Sequence, residues 1–273
     1  LAFLLMPLNL AWEAGKWLTM IRRIYPETSF KQAYGAVVVG ITAGIFTPNG
    51  IGAYAGRVFW LRAGRRLEAA VMTLGDRLCQ MSITLWTALI SLEALDVLRP
   101  DILAGMPETP FYFGRILLWI SAVIALILTL FPQLLYQGMV WIGATGKLTS
   151  RIADTLKKVD QGLLSKVLLL GLIRYATFSG QYLLLLYAFG YEGSPLLAVA
   201  LIGIVFFVKS LLPSISFSEL GVRESVALTV MGAAGIIAPT ALAATFLLYV
   251  FNQITPALAG LVLAPRLKID WKL

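Results

Sequence analysis

Long apolar runs recur along this sequence, and they constrain its fold more than any other feature. Each exceeds the roughly 20 residues that an α-helix needs to cross a bilayer. The runs are residues 1–21, 69–95, 115–143, 167–189 and 239–263. None shows the ten-residue alternating segments of a membrane β-barrel. Because only 13% of the residues are charged, we expect an all-α polytopic membrane protein.

Two shorter apolar segments end in polar breaks that resemble each other. Residues 34–46 lead to a break at 47–52, and residues 195–212 lead to a break at 213–221. Each break combines a helix-breaking proline, small polar residues and an aliphatic–glycine pair, with an arginine shortly after it. A broken membrane helix that occurs once in each half of a chain is typical of transporters with internal repeats.

This duplication predicts the division of a single membrane domain, 1–273. Residues 1–143 form the first repeat half and residues 167–273 the second. Between them, residues 144–166 read as an amphipathic linker helix on the cytoplasmic surface. After each break we expect a short helix, at 51–61 in the first half and at 218–231 in the second.

The net charge of +8 is better explained by membrane topology than by nucleic-acid binding, because cytoplasmic loops collect Lys and Arg. That rule places residues 22–31, 62–66, 147–166 and 266–272 inside, so the C-terminus is cytoplasmic. The loops at 96–114 and 190–194 then face outward. The two broken hairpins enter from opposite faces, as inverted-topology repeats whose tips meet near the midplane. The alternative, in which each hairpin arm crosses fully, gives the same charge count.

The breaks supply candidate substrate-binding residues. Backbone N–H groups at the start of a half-helix bind anions, and hydroxyl and amide side chains add donors. The candidates at the breaks are Thr47, Pro48, Asn49, Gly50, Gly52, Pro213, Ser214, Ser216, Ser218, Glu219 and Gly221. The alternative is that the breaks are two structural kinks satisfied by neighbouring helices.

Two arginines follow the breaks, Arg57 and Arg223, and a guanidinium suits bidentate binding of phosphate. Alternatively, Arg57 extends to the cytoplasmic surface and Arg223 pairs with Glu219 or Glu224. Further candidates within or beside the spans are Asp76, Arg77, Arg174, Lys209 and Glu224.

Each further candidate also has a purely structural interpretation. Asp76 and Arg77 fit a local ion pair as well as a pathway role, and Glu13 and Lys16 are spaced to pair on one helix. The remaining polar residues, Arg174, Gln181, Lys209 and Asn252, fit contacts between helices. The glycine pairs Gly40–Gly44 and Gly52–Gly56 predict close helix packing.

Several chemistries have no support in the sequence. It contains no histidine and a single cysteine, and it shows no nucleotide-binding, zinc-protease or serine-hydrolase motif. We therefore expect no enzymatic activity, no cofactor, no metal and no nucleic-acid partner.

These residues resemble the lysylphosphatidylglycerol synthase transmembrane (flippase-like) family. The segment Thr47 to Gly52 is similar to that family's T-P-G-G-L-G, with Asn49 in place of a glycine. Leu212-Pro213 and the segment Leu220 to Glu224 are similar to its L-P and G-L-G-V-R-E elements, although residues 217–219 depart from the usual Gly-Gly approach. The resemblance covers nearly the whole chain.

The resemblance implies a membrane domain that translocates lipids. In some members this domain is fused to an enzyme that aminoacylates phosphatidylglycerol, and nothing in these 273 residues resembles that enzyme. We therefore expect an inner-membrane flippase for an anionic phospholipid or a prenyl-phosphate-linked lipid. The alternatives are a non-transporting accessory subunit of envelope-lipid or glycan assembly and an intramembrane lipid-modifying enzyme. Partners other than lipids would be a partner enzyme or a second copy of the chain.

Overall fold

A computed structural model describes residues 1–47, 50–61, 64–105, 107–141, 143, 146–212 and 216–264, without the side chains of 216–219. The described residues are mostly helical and form no strand, which confirms the all-α polytopic membrane fold. The helices are α1 (Leu5–Ile21), α2 (Phe30–Ile45), α3 (Gly52–Trp60), α4 (Arg66–Leu98), α5 (Pro100–Ala104), α6 (Glu108–Leu130), α7 (Gln133–Trp141), α8 (Lys147–Leu156), α9 (Gln161–Ala188), α10 (Pro195–Leu211), α11 (Ser216–Ala233), α12 (Ala238–Tyr249) and α13 (Thr255–Leu263). A short 3₁₀ turn, Ala2–Leu4, precedes α1, and a π-helical turn, Val250–Ile254, joins α12 to α13.

Within the described residues, four helical stretches are long and apolar enough to cross a membrane. They are Arg66–Leu98, Glu108–Leu130, Gln161–Ala188 and Ala238–Leu263. The shorter apolar helices, Phe30–Ile45 and Pro195–Leu211, are the first arms of two helical hairpins. We call α2–α3 the first hairpin and α10–α11 the second hairpin.

Loops rich in basic residues meet at one end of the bundle, which we call the basic end. Arg23 pairs with Asp160 at the start of α9. Arg65 donates from Nη1 to the Ile24 carbonyl at 3.2 Å. These contacts bring together loops that the charge distribution assigns to one side of the membrane. Which side they face stays a prediction.

The loops predicted to face the other way meet at the opposite end of the bundle. Leu103, Tyr191 and Ile236 share one buried apolar cluster, and Thr240 Oγ1 donates to the Phe189 carbonyl at 2.7 Å. Helix α9 runs from the basic end to this one over 28 residues, or about 42 Å at the α-helical rise.

The first hairpin opens at the basic end. A capping box between Ser29 and Gln32 starts α2, and Arg65, which follows α3, donates its backbone N–H to Tyr25 Oη at 3.1 Å. The residues of this hairpin pack in an apolar cluster with α1 and the beginnings of α4 and α9. Helix α2 therefore runs from the basic end into the bundle, and α3 returns toward the same end.

The second hairpin opens at the opposite end. Tyr191 lies just before α10 and Ile236 just after α11, and both belong to the cluster at that end. The second arms differ in length, however, because α3 has 9 residues and α11 has 18. The two hairpins thus open at opposite ends of α9. A repeat relationship between the two halves stays a prediction.

Three predicted boundaries in the middle of the chain are wrong. The expected loop at 96–114 is largely helical, because α4 continues to Leu98 and α6 already begins at Glu108. Pro107 sits at the N-cap of α6, where a missing N–H costs nothing. The expected span at 115–143 is two helices, since Pro132 separates α6 from α7.

The surface linker helix expected at 144–166 also ends early. Helix α8 stops at Leu156, and the Asp160 side chain accepts from the Leu163 N–H at 2.7 Å. This N-cap starts a new helix, so Lys166 belongs to the long α9 rather than to the surface helix.

Candidate functional site

Five charged side chains meet inside the bundle, and one of them, Arg57, lies in the last turn of the short helix α3. We call them the charged cluster: Glu13, Lys16, Arg57, Asp76 and Arg174. The first two come from α1, and α3, α4 and α9 supply one each. Four are buried, and the Arg174 side chain is 28% exposed.

Glu13 is the centre of the charged cluster. Its Oε1 lies 2.8 Å from Arg57 Nη2. Its Oε2 lies 3.1 Å from Lys16 Nζ and 3.1 Å from Arg174 Nε. One carboxylate on α1 thus holds cations from α3 and α9 against its own helix.

Asp76 and Gln80 on α4 complete the arrangement. Asp76 lies 3.5 Å from Lys16 Nζ and 3.9 Å from Arg57 Nη1. Gln80 Oε1 accepts from Lys16 Nζ at 3.1 Å and from Arg174 Nη1 at 3.3 Å. The cluster therefore ties α1, α3, α4 and α9 together.

Glycines make room for these long side chains. A Cβ on Gly40 of α2 would stand 3.0 Å from Arg57 Cγ and 2.6 Å from the Ala53 carbonyl oxygen. On α9, a Cβ on Gly171 would lie 3.6 Å from Lys16 Cδ. The close helix packing predicted from the glycine pairs of the first hairpin is confirmed by these contacts.

The charged cluster resolves several alternatives from the sequence. The predicted Glu13–Lys16 pair is confirmed. The interpretation of Arg57 as a surface residue is wrong, because that residue is only 6% exposed. Asp76 pairs with Lys16 and Arg57 across the bundle, whereas Arg77 lies over the Tyr54 ring at 5.9 Å.

The first break is a tight turn closed by a side chain. Gly50 adopts the left-handed conformation with φ of +66°, which glycine does without steric cost. Thr47 Oγ1 accepts from the Gly52 N–H at 2.7 Å and so satisfies one donor at the start of α3. Pro48 and Asn49 lie outside the described residues.

The second break is shorter than the predicted 213–221. Helix α11 begins at Ser216, so Gly221 lies inside it, on an exposed face where a Cβ would have nothing within 4 Å. Pro213 and Ser214 lie outside the described residues. The side chains of Ser216, Ser218 and Glu219 also lie outside the described part.

An open cavity of about 330 Å³, which we call the lateral groove, lies beside both hairpins. It is lined mainly by apolar side chains. The lining residues are Thr42, Ile45, Phe46, Leu220, Tyr249, Ile254, Ala257, Leu258 and Leu261. Phe46 immediately follows α2, and Leu220 lies one turn into α11, so residues next to both breaks border one groove.

Arg223 adjoins the lateral groove. It is 7% exposed, and its guanidinium carbon lies 5.1 Å from the centroid of the Tyr249 ring that lines the groove. This distance fits a cation–π contact. Lys209, in the last turn of α10, and Glu224 are both half-buried.

A second polar network holds the last membrane helix in place. Asn252 accepts from Asn9 Nδ2 and donates to Gln181 Oε1, both at 2.9 Å. The Gln181 amide then donates to the Ala2 carbonyl at 2.9 Å. The prediction that Gln181 and Asn252 join helices is confirmed. The π-helical turn that carries Asn252 was not predicted, because periodicity does not reveal one extra residue in a turn.

Comparison with known proteins places the chain in a family. The model of the lysylphosphatidylglycerol synthase TM region matches residues 1–260. The chain therefore belongs to this family, and it is a multi-pass membrane protein of a lipid-handling group. Neither a curated protein nor a solved structure matches it.

Proposed function

We propose that this protein is a bacterial inner-membrane flippase that moves an anionic phospholipid or a prenyl-phosphate-linked lipid between leaflets. It moves the lipid without changing it chemically and without a cofactor. The observation that carries the proposal is that Phe46 of the first hairpin and Leu220 of the second line the same lateral groove. The family membership supports the lipid substrate class.

The lateral groove suits the hydrocarbon chain of a lipid. Its residues come from the end of α2 before the first break, from α11 after the second break and from the last membrane helix, and those facing outward are apolar and exposed. Phe46 is 70% exposed, Leu258 59% and Leu261 49%. A lipid tail would enter from the bilayer without leaving an apolar environment, so only the headgroup needs a polar path.

The headgroup would be held by residues beside the groove. Arg223 lies against Tyr249 on the groove wall, and a guanidinium binds phosphate oxygens in pairs. The Arg57 side chain packs against α2 at Gly40, which lies two residues before the groove residue Thr42. Movement of one hairpin against the other would then open the path to each leaflet in turn.

Transport of labelled lipids in reconstituted liposomes tests this proposal. We expect translocation of anionic phospholipids or prenyl phosphates above that of empty liposomes. Arg223→Gln should lower the rate at least tenfold, equivalent to about 1.4 kcal/mol, while Arg223→Lys keeps part of it. Arg99→Gln, at an exposed loop position paired with Asp101, is the matched control and should leave the rate unchanged.

The assay also distinguishes a flippase from the main alternative, a non-transporting accessory subunit. A non-transporting accessory subunit would bind lipid in the same liposomes and leave its leaflet distribution unchanged. Absence of translocation for every anionic phospholipid and prenyl phosphate tested would contradict the flippase proposal.

A further inference from the structure

The charged cluster carries more positive than negative charge. It contains three cations and two carboxylates, and among the described residues these five side chains form ion pairs only with one another. The cluster thus has a net charge of one positive unit. Because a buried, uncompensated charge is costly inside a membrane, intramembrane charges are normally paired.

Arg174 is the most exposed residue of the charged cluster. This residue is the fourteenth of the 28 in α9, near the middle of a membrane-spanning helix. Its Nε faces Glu13 and its Nη1 donates to Gln80, which leaves Nη2 without a partner among the described residues. The side chain is 28% exposed, so this edge can meet a ligand.

A second, buried cation of the charged cluster, Arg57, has unused donors as well. Arg57 Nε and Nη1 make no hydrogen bond to any described residue, although the Arg57 side chain is only 7% exposed, and two acceptors of the cluster, Glu13 Oε2 and Asp76 Oδ1, make ion pairs but no hydrogen bond. A buried N–H group without an acceptor costs free energy, and in a native structure it often marks an absent water or ligand. Unused donors and excess charge therefore occur in the same cluster.

We propose that the charged cluster is a binding site for a phosphate-type oxyanion, which contacts Arg174 and neutralises the excess charge. The identification of that anion as a lipid headgroup phosphate rests on the proposed function. The site itself rests on the charge count and on the exposed Arg174 edge. It would hold the headgroup near the midplane, at a point separate from Arg223.

A series of variants with different cluster charge tests the site without measuring transport. The net charge of the cluster is +1 in the wild type, zero in Arg174→Gln and +2 in Asp76→Asn. We would measure the midpoint of thermal unfolding in neutral detergent, at constant ionic strength, with increasing inorganic phosphate or short-chain phosphatidylglycerol. A ligand that binds only the folded state raises this midpoint.

We expect anion-dependent stabilisation in the wild type, a Kd at least tenfold higher for Arg174→Gln, and a lower Kd for Asp76→Asn. Arg174→Lys should retain binding because it keeps the charge, and Arg99→Gln is the exposed control. Arg174→Gln balances the cluster and should fold. Asp76→Asn raises the charge of the cluster further and could prevent folding. In that case Arg174→Gln, Arg174→Lys and Arg99→Gln, compared with the wild type, still decide whether the site exists.

The two probes identify the source of the anion. Stabilisation by both supports a general phosphate site, and stabilisation by the lipid alone supports a headgroup site. No stabilisation of the wild type by either probe, or equal stabilisation of Arg174→Gln, overturns the proposal. Anion binding without liposome transport would sustain this site and contradict the flippase function, so the two failures are distinguishable.

Discussion

Glu13→Gln should be the most destabilising conservative substitution in the charged cluster. Glu13 faces Lys16, Arg57 and Arg174 at 2.8–3.1 Å, and its loss leaves three cations with Asp76 alone. Removing one partner of a buried ion pair costs about 3–5 kcal/mol. Unfolding can be followed by thiol labelling of Cys79, which is 1% exposed in the folded protein.

The matched control is Glu108→Gln, at an exposed position in the first turn of α6, which should change stability by less than about 0.5 kcal/mol. The double variant Glu13→Gln/Arg174→Gln returns the cluster to one excess positive charge. We therefore expect it to recover part of the lost stability. If Glu13→Gln were no less stable than Glu108→Gln, the charged cluster would not hold α1, α3, α4 and α9 together.

Gly52→Ala should disrupt the first hairpin. A Cβ on Gly52 would overlap the Ala43 carbonyl oxygen and stand 2.7 Å from Thr47 Oγ1. The carbonyl belongs to the backbone of α2, so relief requires the two helices to separate. We expect a loss of about 1–3 kcal/mol, typical of overpacking. Thermal unfolding in detergent, followed by circular dichroism, measures it.

Gly180→Ala is the control for this substitution. Gly180 lies within α9 with nothing within 4 Å of its Cβ position, and alanine is the better helix former by up to about 1 kcal/mol. This variant should be as stable as the wild type or more so. Equal stability of Gly52→Ala and Gly180→Ala would show that α2 and α3 do not pack as closely as described.

The first hairpin was predictable because its determinants are local. In the sequence a proline follows the apolar segment and predicts its end, and glycines at four-residue spacing predict close packing. The Glu13–Lys16 pair was predictable for the same reason, since residues three apart share one face of a helix. Family membership likewise follows from short motifs beside the two breaks, now supported by a match over residues 1–260.

The charged cluster was only partly predictable because it is built from four helices. Lys16, Arg57 and Arg174 are far apart in sequence, and no spacing rule indicates that they all meet Glu13. The predicted second break is too long for a related reason. The glycine at position 221 predicts a turn, but a glycine is also tolerated on the exposed face of a helix.

Cross-linking between the two hairpins tests the central claim, that their tips border one path for lipid. Phe46→Cys and Leu220→Cys would be joined with a short, reducible bifunctional thiol reagent, with each single variant as a control. The native Cys79 is buried and should not react in the folded protein. We predict efficient cross-linking, loss of lipid transport in liposomes, and recovery of transport after reduction. Absence of cross-linking, or unchanged transport by the cross-linked protein, would contradict the account.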